Sequence, residues 1–373
     1  MVNLLLDLGE RHGFEAASHA KAAIAAAGCA LEIRESADDR TLAWIDDAFG
    51  GTWSGEAYLS SNAIVTRDGA PIAFASFDPK RAEFAWLRGA GARAGTGIFG
   101  PFGVDPAYRG TGLGQAAMTL ALFGLHGKGY ARALIPAVGG ERLVRYYERA
   151  TGARIVELFG PLQHVTRPIR TTILASGSGT NAQAVIDAVS AGLPLDVRAV
   201  ISNRPDAGVL ARATGAQIPR DVVSWDRARE SREQYDARLL ATVRARDPEL
   251  VLLLGWMHLL DRPFVEAFAN LLNIHPAFLP HDPSRDDVGM PDGTVVPAFR
   301  GGNAIREALQ ARSSWVGASF HAVTMQTDRG AVLVRKPLRV AAEEGEAAVL
   351  ERLHPMEHRV VTTGIRRWLY ERG

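Results

Sequence analysis

The apolar positions in the first part of the chain predict antiparallel strands followed by a helix. Two apolar runs, 63–66 and 72–77, flank an Asp-Gly pair at 68–69, and Asp-Gly between apolar runs is a strong hairpin signal. A third apolar run, 97–104, leads into a glycine-rich turn, and apolar residues then recur at helical spacing over 115–127. We therefore expect a hairpin, a further strand, a glycine turn and a helix, in that order.

From residue 171 onward the apolar runs are continuous and alternate with helical segments. The predicted strands are 172–175, 197–201, 250–254 and 271–275, and the predicted helices are 182–191, 208–214 and 232–245. Strands without polar alternation are buried on both faces, and helices between such strands are typical of a parallel sheet. The second part of the chain is therefore expected to be an α/β fold.

The change between the two patterns falls at 160–170, a stretch that contains Pro161 and Pro168. A length of 373 residues suggests two domains of ordinary size. We place the boundary after Pro168, which predicts a first domain at 1–168 and a second at 169–373.

The composition excludes several classes of protein. The 42 Lys and Arg residues against 41 Asp and Glu leave no electrostatic argument for a nucleic-acid or membrane-surface partner. The longest apolar run, near 250–260, is shorter than a bilayer span, and the N-terminus has no basic region before a long apolar stretch. Cys29 is the single cysteine, so an intrachain disulfide and a Cys-based zinc cage are excluded. We expect a cytoplasmic protein that needs no metal.

A glycine-rich loop at the end of the 97–104 run is the first candidate binding site. Arg109 is followed by glycines at 110, 112 and 114 before the next helix. Glycine lets a ligand approach the backbone closely, and the N–H groups at a helix N-terminus attract a pyrophosphate. The glycines alone are equally compatible with a turn that only caps the helix.

The surrounding residues favour the binding site, because 104–114 resembles motif A of the GNAT N-acetyltransferase superfamily, V-x-P-x-x-R-G-x-G-x-G/A. Val104, Pro106 and Arg109 are in place together with all three glycines. The resemblance implies a mixed, mostly antiparallel sheet with helices, and acetyl-CoA or another acyl-CoA as ligand. The pyrophosphate-binding residues that it implies are Arg109, Gly110, Gly112, Leu113 and Gly114.

Tyr147 lies in the segment where the GNAT family often has a general acid. The resemblance implies that its phenol protonates the departing CoA thiolate, and the alternative is an aromatic side chain that packs a helix. The chain departs from the family at 138–141, where Val-Gly-Gly-Glu replaces a frequent Asn, and no general base can be assigned. Acyl-CoA binding is therefore better supported than acetyl transfer.

A second candidate site is predicted at the carboxyl end of the strand 271–275. Asn273 and His275 are two residues apart, so their side chains project from one face of the strand. Open α/β sheets carry their ligands at this end of the strands. Asp328, in a turn after the predicted strand 320–323, would orient or charge His275, and the alternative is that Asp328 is only a turn residue.

Five segments of the second domain together resemble the formyltransferases that depend on 10-formyltetrahydrofolate, most of all phosphoribosylglycinamide formyltransferase. They are ILASGSGTNAQAVID, VRAVISNRPDAGVLARA, LVLLLGWMHLL, NIHPAFLP, and His321 followed seven residues later by Asp328-Arg329-Gly330. The resemblance implies a Rossmann-like sheet, a place in purine biosynthesis, and transfer of a formyl group to a small-molecule amine.

The resemblance also implies a role for each candidate residue. Asn273 and a protonated His275 would donate hydrogen bonds to the oxyanion of the tetrahedral intermediate. Asp328 would keep His275 charged and relay a proton. The substrate-binding residues that the resemblance implies are Gly179, Thr180, Asn181, Pro276 and Glu357, and the folate-binding residues are Met257, His258 and Leu260.

Departures from the family leave the acceptor open. His258 stands where an Arg is usual, and the extra segment 282–297 is rich in Pro, Gly and Asp. We expect this segment to be a flexible loop that covers the acceptor site. Two alternatives follow: a formyltetrahydrofolate hydrolase, in which water attacks, or a formyltransferase regulated by a non-catalytic acyl-CoA-binding domain.

Overall fold

The computed structural model describes residues 1–80, 94–158, 160 and 162–372, so Pro161 of the predicted linker lies outside the described residues. The chain divides into two compact units. The first contains Met1–His164, Gly289–Thr294 and the C-terminal residues from Trp368, and the second contains Val165–Val288 and Val295–Arg367. No helix in the described part of the chain is long and apolar enough to cross a membrane.

The first unit is built on one mixed sheet. Its strands are β1 (Val2–Asp7), β2 (Ala30–Arg34), β3 (Ser61–Arg67), β4 (Ala70–Phe77), β5 (Thr96–Val104), β6 (Arg132–Val138) and β7 (Arg154–Leu158). They lie in the order β2-β3-β4-β5-β6-β1-β7. Only β5 and β6 pair in parallel; the other described pairs are antiparallel. The predicted mixed, mostly antiparallel sheet is confirmed.

The Asp-Gly hairpin predicted from the sequence joins β3 to β4. Arg67 pairs with Ala70, so the turn consists of Asp68 and Gly69 alone. Both residues have positive φ, 49° and 72°, which is the geometry of the type I′ turn that suits the twist of two antiparallel strands.

The helices of the first unit cover the sheet. They are α1 (Phe14–Ala26), α2 (Asp39–Phe49), α3 (Ser54–Tyr58), α4 (Leu113–Gly127) and α5 (Glu141–Thr151). The apolar residues of α4 form one buried cluster with those of β3 to β6, including Phe77 and Phe99. This cluster holds α4, and therefore the glycine loop before it, against the sheet.

The second unit is built on another seven-stranded sheet. The strands after residue 165 are β8 (Ile169–Leu174), β9 (Leu195–Ser202), β10 (Arg220–Val222), β11 (Leu250–Leu253), β12 (Leu271–His275), β13 (Asp287–Gly289), β14 (Val295–Pro297), β15 (Trp315–Ala322) and β16 (Val332–Arg339), of which β13 and β14 form a separate hairpin. The helices after residue 165 are α6 (Thr180–Ser190), α7 (Gly208–Gly215), α8 (Arg232–Arg244), α9 (Arg262–Ala267), α10 (Ala304–Gln310) and α11 (Glu346–Glu371).

The large sheet has the order β10-β9-β8-β11-β12-β15-β16. The strands from β10 to β12 are parallel, as the sequence predicts, but β15 runs antiparallel to both β12 and β16. The nine residues 323–331 join β15 to β16, and antiparallel neighbours need no helical crossover. The chain moves outward from β8 to β10 and then returns to β11 on the other side of β8, and such a reversal opens a crevice at the carboxyl edge of a sheet.

The segment expected to be a flexible loop, 282–297, instead contains the β13–β14 hairpin. Val288 and Met290 are fully buried and Val296 is nearly so. These buried side chains alternate with exposed or half-buried residues, which is the pattern of half-buried strands, and Gly293 with a φ of 85° allows the turn between them. The abundance of turn residues in the segment therefore marks a tight hairpin.

Candidate active site

Asn273 and His275 lie at the carboxyl end of β12 and project from the same face of the strand. The neighbouring strand β15 runs antiparallel, and its His321 is directly opposite Asn273. The Asn273 Nδ2 lies 3.1 Å from His321 Nε2, and His321 Nδ1 donates to the Ala322 carbonyl at 2.7 Å. This second bond requires a proton on Nδ1.

Asp328 joins this group from the turn between β15 and β16. Its Oδ2 lies 3.5 Å from His275 Nδ1, and its Oδ1 lies 3.5 Å from His321 Nε2. The Gly301 N–H donates to Oδ2 at 2.8 Å. The structure therefore brings together the three residues of the second unit that were predicted to be catalytic.

His321 was not among the predicted site residues. Its position opposite Asn273 depends on the register between β12 and β15, which the sequence alone does not reveal. The available signal was the spacing of seven residues between His321 and Asp328. This spacing is compatible with His321 near the end of a strand and Asp328 in the turn that follows it.

The Asp328 carboxyl is held in its ionised form. Burial by itself raises the pKa of Asp328, but the adjacent His321, His275 and Gly301 N–H outweigh burial and keep the pKa below its ordinary value. The side chain is only 10% exposed, so this negative charge acts on its neighbours with little solvent screening.

The burial of His275 opposes the protonated ring that the sequence predicts. Burial lowers the pKa of His275, and the Asp328 carboxylate only partly opposes that effect. The ring donates its Nε2 proton to the Phe299 carbonyl at 2.7 Å, and its Nδ1 faces Asp328 Oδ2 at 3.5 Å. A proton that arrives at Nδ1 would be bound between the two side chains.

The backbone of the turn that carries Asp328 is strained. Asp328 has a φ of 52°, a left-handed conformation that Asp adopts more readily than most residues. The Asp328 carbonyl accepts from Arg300 Nε at 3.3 Å, and a Cβ on Gly330 would overlap the Ala322 carbonyl oxygen. Close contacts on both sides therefore hold Asp328 in this conformation.

The predicted substrate loop opens α6. Gly179 has a φ of 74° at the N-terminus of the helix, where Thr180 is the first residue, and a Cβ on Gly179 would collide with Val209. Asn181 Nδ2 donates to Glu357 Oε2 at 3.0 Å, so two predicted substrate residues from distant parts of the chain are in contact. Burial raises the pKa of Glu357, and the Asn181 hydrogen bond opposes the rise.

A cleft of about 560 Å³ lies at the carboxyl edge of the large sheet. Loops that follow β8, β9, β10 and β11 form its walls, and the residues that line it include Gly177, Asn203, Trp225, Arg227, Met257 and His258. The Met257 N–H donates to Ser176 Oγ at 3.0 Å and so joins the loops after β11 and β8. This is the crevice that the reversed strand order predicts.

The predicted folate-binding residues differ in their surroundings. Met257 is 61% exposed and lines the cleft. His258 accepts from Asn203 Nδ2 at 3.0 Å through Nε2, so its neutral ring donates from Nδ1 to the Tyr235 hydroxyl at 2.9 Å. Leu260 is half-buried and packs against a hydrophobic core cluster. Of the predicted substrate residues, Pro276 lines a separate small apolar cavity.

The glycine loop of the first unit has the geometry of a backbone cradle. Gly110 and Gly112 have positive φ, 83° and 87°, and Gly112 immediately precedes α4. A Cβ on Gly112 would meet no protein atom within 4 Å, whereas a Cβ on Gly114 would overlap Val104. Gly112 therefore faces open space, and Gly114 lets α4 pack closely on β5. The exposed Arg109 stands beside them, and Leu113 is buried.

A wedge opens between β5 and β6 next to this loop. The parallel pairing runs only from Thr96 with Arg132 to Ile98 with Leu134. Beyond these pairs β5 continues to Val104 and β6 to Val138. The gap therefore widens toward the end of β5 from which the glycine loop departs, and the sequence pattern contained no signal for it.

Tyr147 is buried on α5 beside the aromatic residues of β5. Its ring centroid lies 6.3 Å from that of Phe99, and the side chain belongs to the main core cluster of the first unit. Burial, followed by the adjacent Tyr146, raises the pKa of Tyr147. The phenol is therefore protonated, as a proton donor must be, but its surroundings are also those of an aromatic side chain that packs a helix.

Two family models match the chain. Residues 169–283 and 293–365, together about half of the chain, match the model described as Formyl transferase. Residues 26–153 match the model described as Acetyltransferase (GNAT) family.

Curated relatives and solved structures resemble the second half of the chain. The chain is 35% identical over 193 residues to the trifunctional purine biosynthetic protein adenosine-3 of Drosophila melanogaster, across 51% of this chain and only 13% of that protein. It is 35% identical over 190 residues to the phosphoribosylglycinamide formyltransferase of Escherichia coli (strain K12), across 50% of this chain and 81% of that protein. The crystal structure of glycinamide ribonucleotide transformylase 1 from Symbiobacterium toebii has 33% identity and a TM-score of 0.48, and the match covers 54% of this chain and 88% of that one.

The length of the family match and the share of the Escherichia coli enzyme that is covered agree with the resemblance found in the sequence. The chain therefore belongs to the formyl transferase family and carries a GNAT acetyltransferase domain in its first half.

Proposed function

We propose that the second unit transfers the formyl group of 10-formyltetrahydrofolate to a small-molecule amine, with phosphoribosylglycinamide as the first candidate acceptor. The observation that carries the proposal is the group formed by Asn273, His275, His321 and Asp328 at the carboxyl end of β12. It combines an amide donor, an imidazole and an ionised carboxylate, which are the groups that formyl transfer to an amine requires.

The cleft beside β8 and β11 fits a folate. Its volume of about 560 Å³ is within the range of cofactor pockets, and Trp225 and Met257 supply apolar contact area. Asn203 Oδ1 in its wall is buried and has no hydrogen-bond partner. A folate ring carries N–H groups that would satisfy this acceptor, so the cleft has a polar group placed for a ligand.

The side chains suggest a division of chemical roles. The acceptor amine forms a bond to the formyl carbon, and the carbonyl oxygen becomes an oxyanion that the Asn273 amide stabilises by donating a hydrogen bond. His275 Nδ1, supported by Asp328, takes the proton that the amine must lose. The same proton then returns to the folate nitrogen as its bond to the formyl carbon breaks.

The loop at 177–181 and Glu357 would bind the acceptor. The N–H groups at the start of α6 attract a phosphate, and Arg212 Nε donates to the Ser178 carbonyl at 2.8 Å and so adds a positive charge nearby. Glu357, in contact with Asn181, would accept from the amine. An acceptor with both a phosphate and an amine, such as phosphoribosylglycinamide, would use both groups.

Formyl transfer predicts that tetrahydrofolate release depends on the acceptor. The protein would be incubated with 10-formyltetrahydrofolate and a panel of small amines, and the products would be read by mass spectrometry for the addition of one CO. We expect release to require an amine and the modified amine to appear. Equal release without any amine would instead support the hydrolase alternative.

We propose further that the first unit binds acetyl-CoA or another acyl-CoA. The left-handed glycines at 110 and 112, the start of α4 and the wedge between β5 and β6 support the proposal. The N–H groups of the loop would hold the pyrophosphate, and the wedge would admit the acyl arm. If Tyr147 is the general acid, acyl transfer follows; if not, the unit binds the thioester without chemistry.

Replacing Gly112 with Ala should weaken acyl-CoA binding, because the new Cβ would enter the open space in front of the loop. Gly129 is a matched control: its φ of 88° equals the 87° of Gly112, a Cβ there also meets no atom, and it follows the opposite end of α4. By calorimetry with acetyl-CoA we expect Gly112→Ala to lose about tenfold or more in affinity, roughly 1.4 kcal/mol, and Gly129→Ala to match the wild type. Undetectable binding by the wild type would remove the acyl-CoA proposal.

A further inference from the structure

The segment that leads into and includes the start of the β13–β14 hairpin lies outside the family match. The formyl transferase match stops at residue 283 and resumes at 293, so it does not include 284–292. Asp286 lies in this interval, and its side chain is 77% exposed. An exposed carboxylate in a segment outside the family match would ordinarily have no effect on catalysis.

Asp286 nevertheless binds two arginines at once. Its Oδ1 accepts from Arg300 Nη1 at 2.9 Å and also from Arg329 Nη2. Arg300 Nη2 donates to the Arg285 carbonyl at 2.7 Å, and Arg329 Nη1 donates to the Pro283 carbonyl at 2.6 Å. Four hydrogen bonds therefore connect this short segment to the two guanidinium groups.

The same two arginines flank Asp328. Arg329 is the next residue in the chain, and Arg300 Nε donates to the Asp328 carbonyl at 3.3 Å. Gly301, which follows Arg300, donates its N–H to Asp328 Oδ2 at 2.8 Å. Asp286 therefore binds the residues that stabilise the left-handed conformation of Asp328.

The charges around Asp328 make this arrangement consequential. The Arg300 side chain is 14% exposed and the Arg329 side chain 26%, so their positive charges are poorly screened. Asp286 supplies a negative charge that both arginines share. Without that charge, Arg300 would be drawn to the Asp328 carboxylate and would compete with His275 for it.

We propose that Asp286 is a positioning residue that keeps Arg300 and Arg329 away from the Asp328 carboxylate, so that this carboxylate stays with His275 and His321. The inference rests on the proposed function for its effect on turnover. An exposed ion pair contributes little to folding stability, so the effect of Asp286 falls mainly on the site rather than on the fold.

The test compares Asp286→Asn with Asp287→Asn. Asp287 is the neighbouring residue, and its carboxylate pairs with Arg285 at 2.6 Å on the surface. Both variants lose one negative charge in the same segment, but only the first removes the charge that Arg300 and Arg329 share. We expect kcat for formyl transfer to fall about tenfold in Asp286→Asn at nearly constant KM, and to be unchanged in Asp287→Asn. Thermal melts of both variants should match the wild type.

A second measurement is independent of turnover. The imidazole resonance of His275 is followed by NMR during a pH titration of the full-length protein. It is assigned as the resonance that is missing from the spectrum of His275→Gln. In Asp286→Asn, Arg300 neutralises Asp328, so His275 should titrate at lower pH than in Asp287→Asn and the wild type. Identical kcat and identical His275 titration in both variants would overturn the proposal. If the wild type transfers no formyl group, the proposed function fails, and the titration alone decides the role of Asp286.

Discussion

Replacing Asp328 with Asn is expected to lower kcat for formyl transfer by about 10²–10³ while folate binding stays nearly unchanged. The substitution keeps the size of the side chain and an acceptor for the Gly301 N–H but removes the negative charge beside His275. The pKa of His275 then falls further, because the Asp328 carboxylate is what partly offsets burial. A proton on Nδ1 then loses its stabilising partner, so the free energy of the transition state rises more than that of the bound substrates.

The measurement is steady-state release of tetrahydrofolate with the acceptor present, together with folate affinity by calorimetry. Asp247→Asn is a suitable control, since Asp247 also has a left-handed φ, 46°, and its side chain is 84% exposed. His275→Ala should resemble Asp328→Asn, and the double variant should be little worse than either, because the two side chains act as one unit. Wild-type activity in His275→Ala would contradict the assignment of this site.

Replacing Gly330 with Ala is expected to disturb both the stability and the activity of the second unit. The new Cβ would overlap the Ala322 carbonyl oxygen, which already accepts from His321 Nδ1. A backbone atom cannot move aside as a flexible side chain can, so the turn that carries Asp328 must shift. We expect the free energy of unfolding to fall by about 1–3 kcal/mol and kcat to fall with it.

Urea unfolding and the tetrahydrofolate assay measure the two effects of Gly330→Ala. Gly345→Ala is the matched control, because Gly345 follows β16 in another turn of the same unit and a Cβ there meets no atom within 4 Å. That variant should be as stable as the wild type or slightly more so. Equal unfolding free energies for the two variants would show that the contact at Gly330 is not as close as described.

The sequence predicted those features that depend on short-range patterns. The Asp-Gly turn at 68–69, the glycines before α4 and the shared face of Asn273 and His275 each follow from residues close together in the chain. The assignment to two families also followed from local motifs, and the family matches confirm it. The boundary after Pro168 stays a prediction.

The features that were missed depend on contacts between distant residues. The lowered pKa of His275 results from its burial, which depends on packing between segments that are far apart in the chain. The position of His321 depends on the register of β12 with β15. The β13–β14 hairpin has an alternating pattern only three residues long in each strand, which is too short to distinguish a strand from a loop by periodicity.

The division of the chain into two units has a consequence for how the halves can be separated. Because Gly289–Thr294 and the residues from Trp368 belong to the first unit, the polypeptide passes between the units four times. A single cut after residue 168 would leave both of these segments attached to the wrong half. The two units are therefore interleaved in one polypeptide, and the first unit cannot be excised as a continuous stretch without losing part of its own fold.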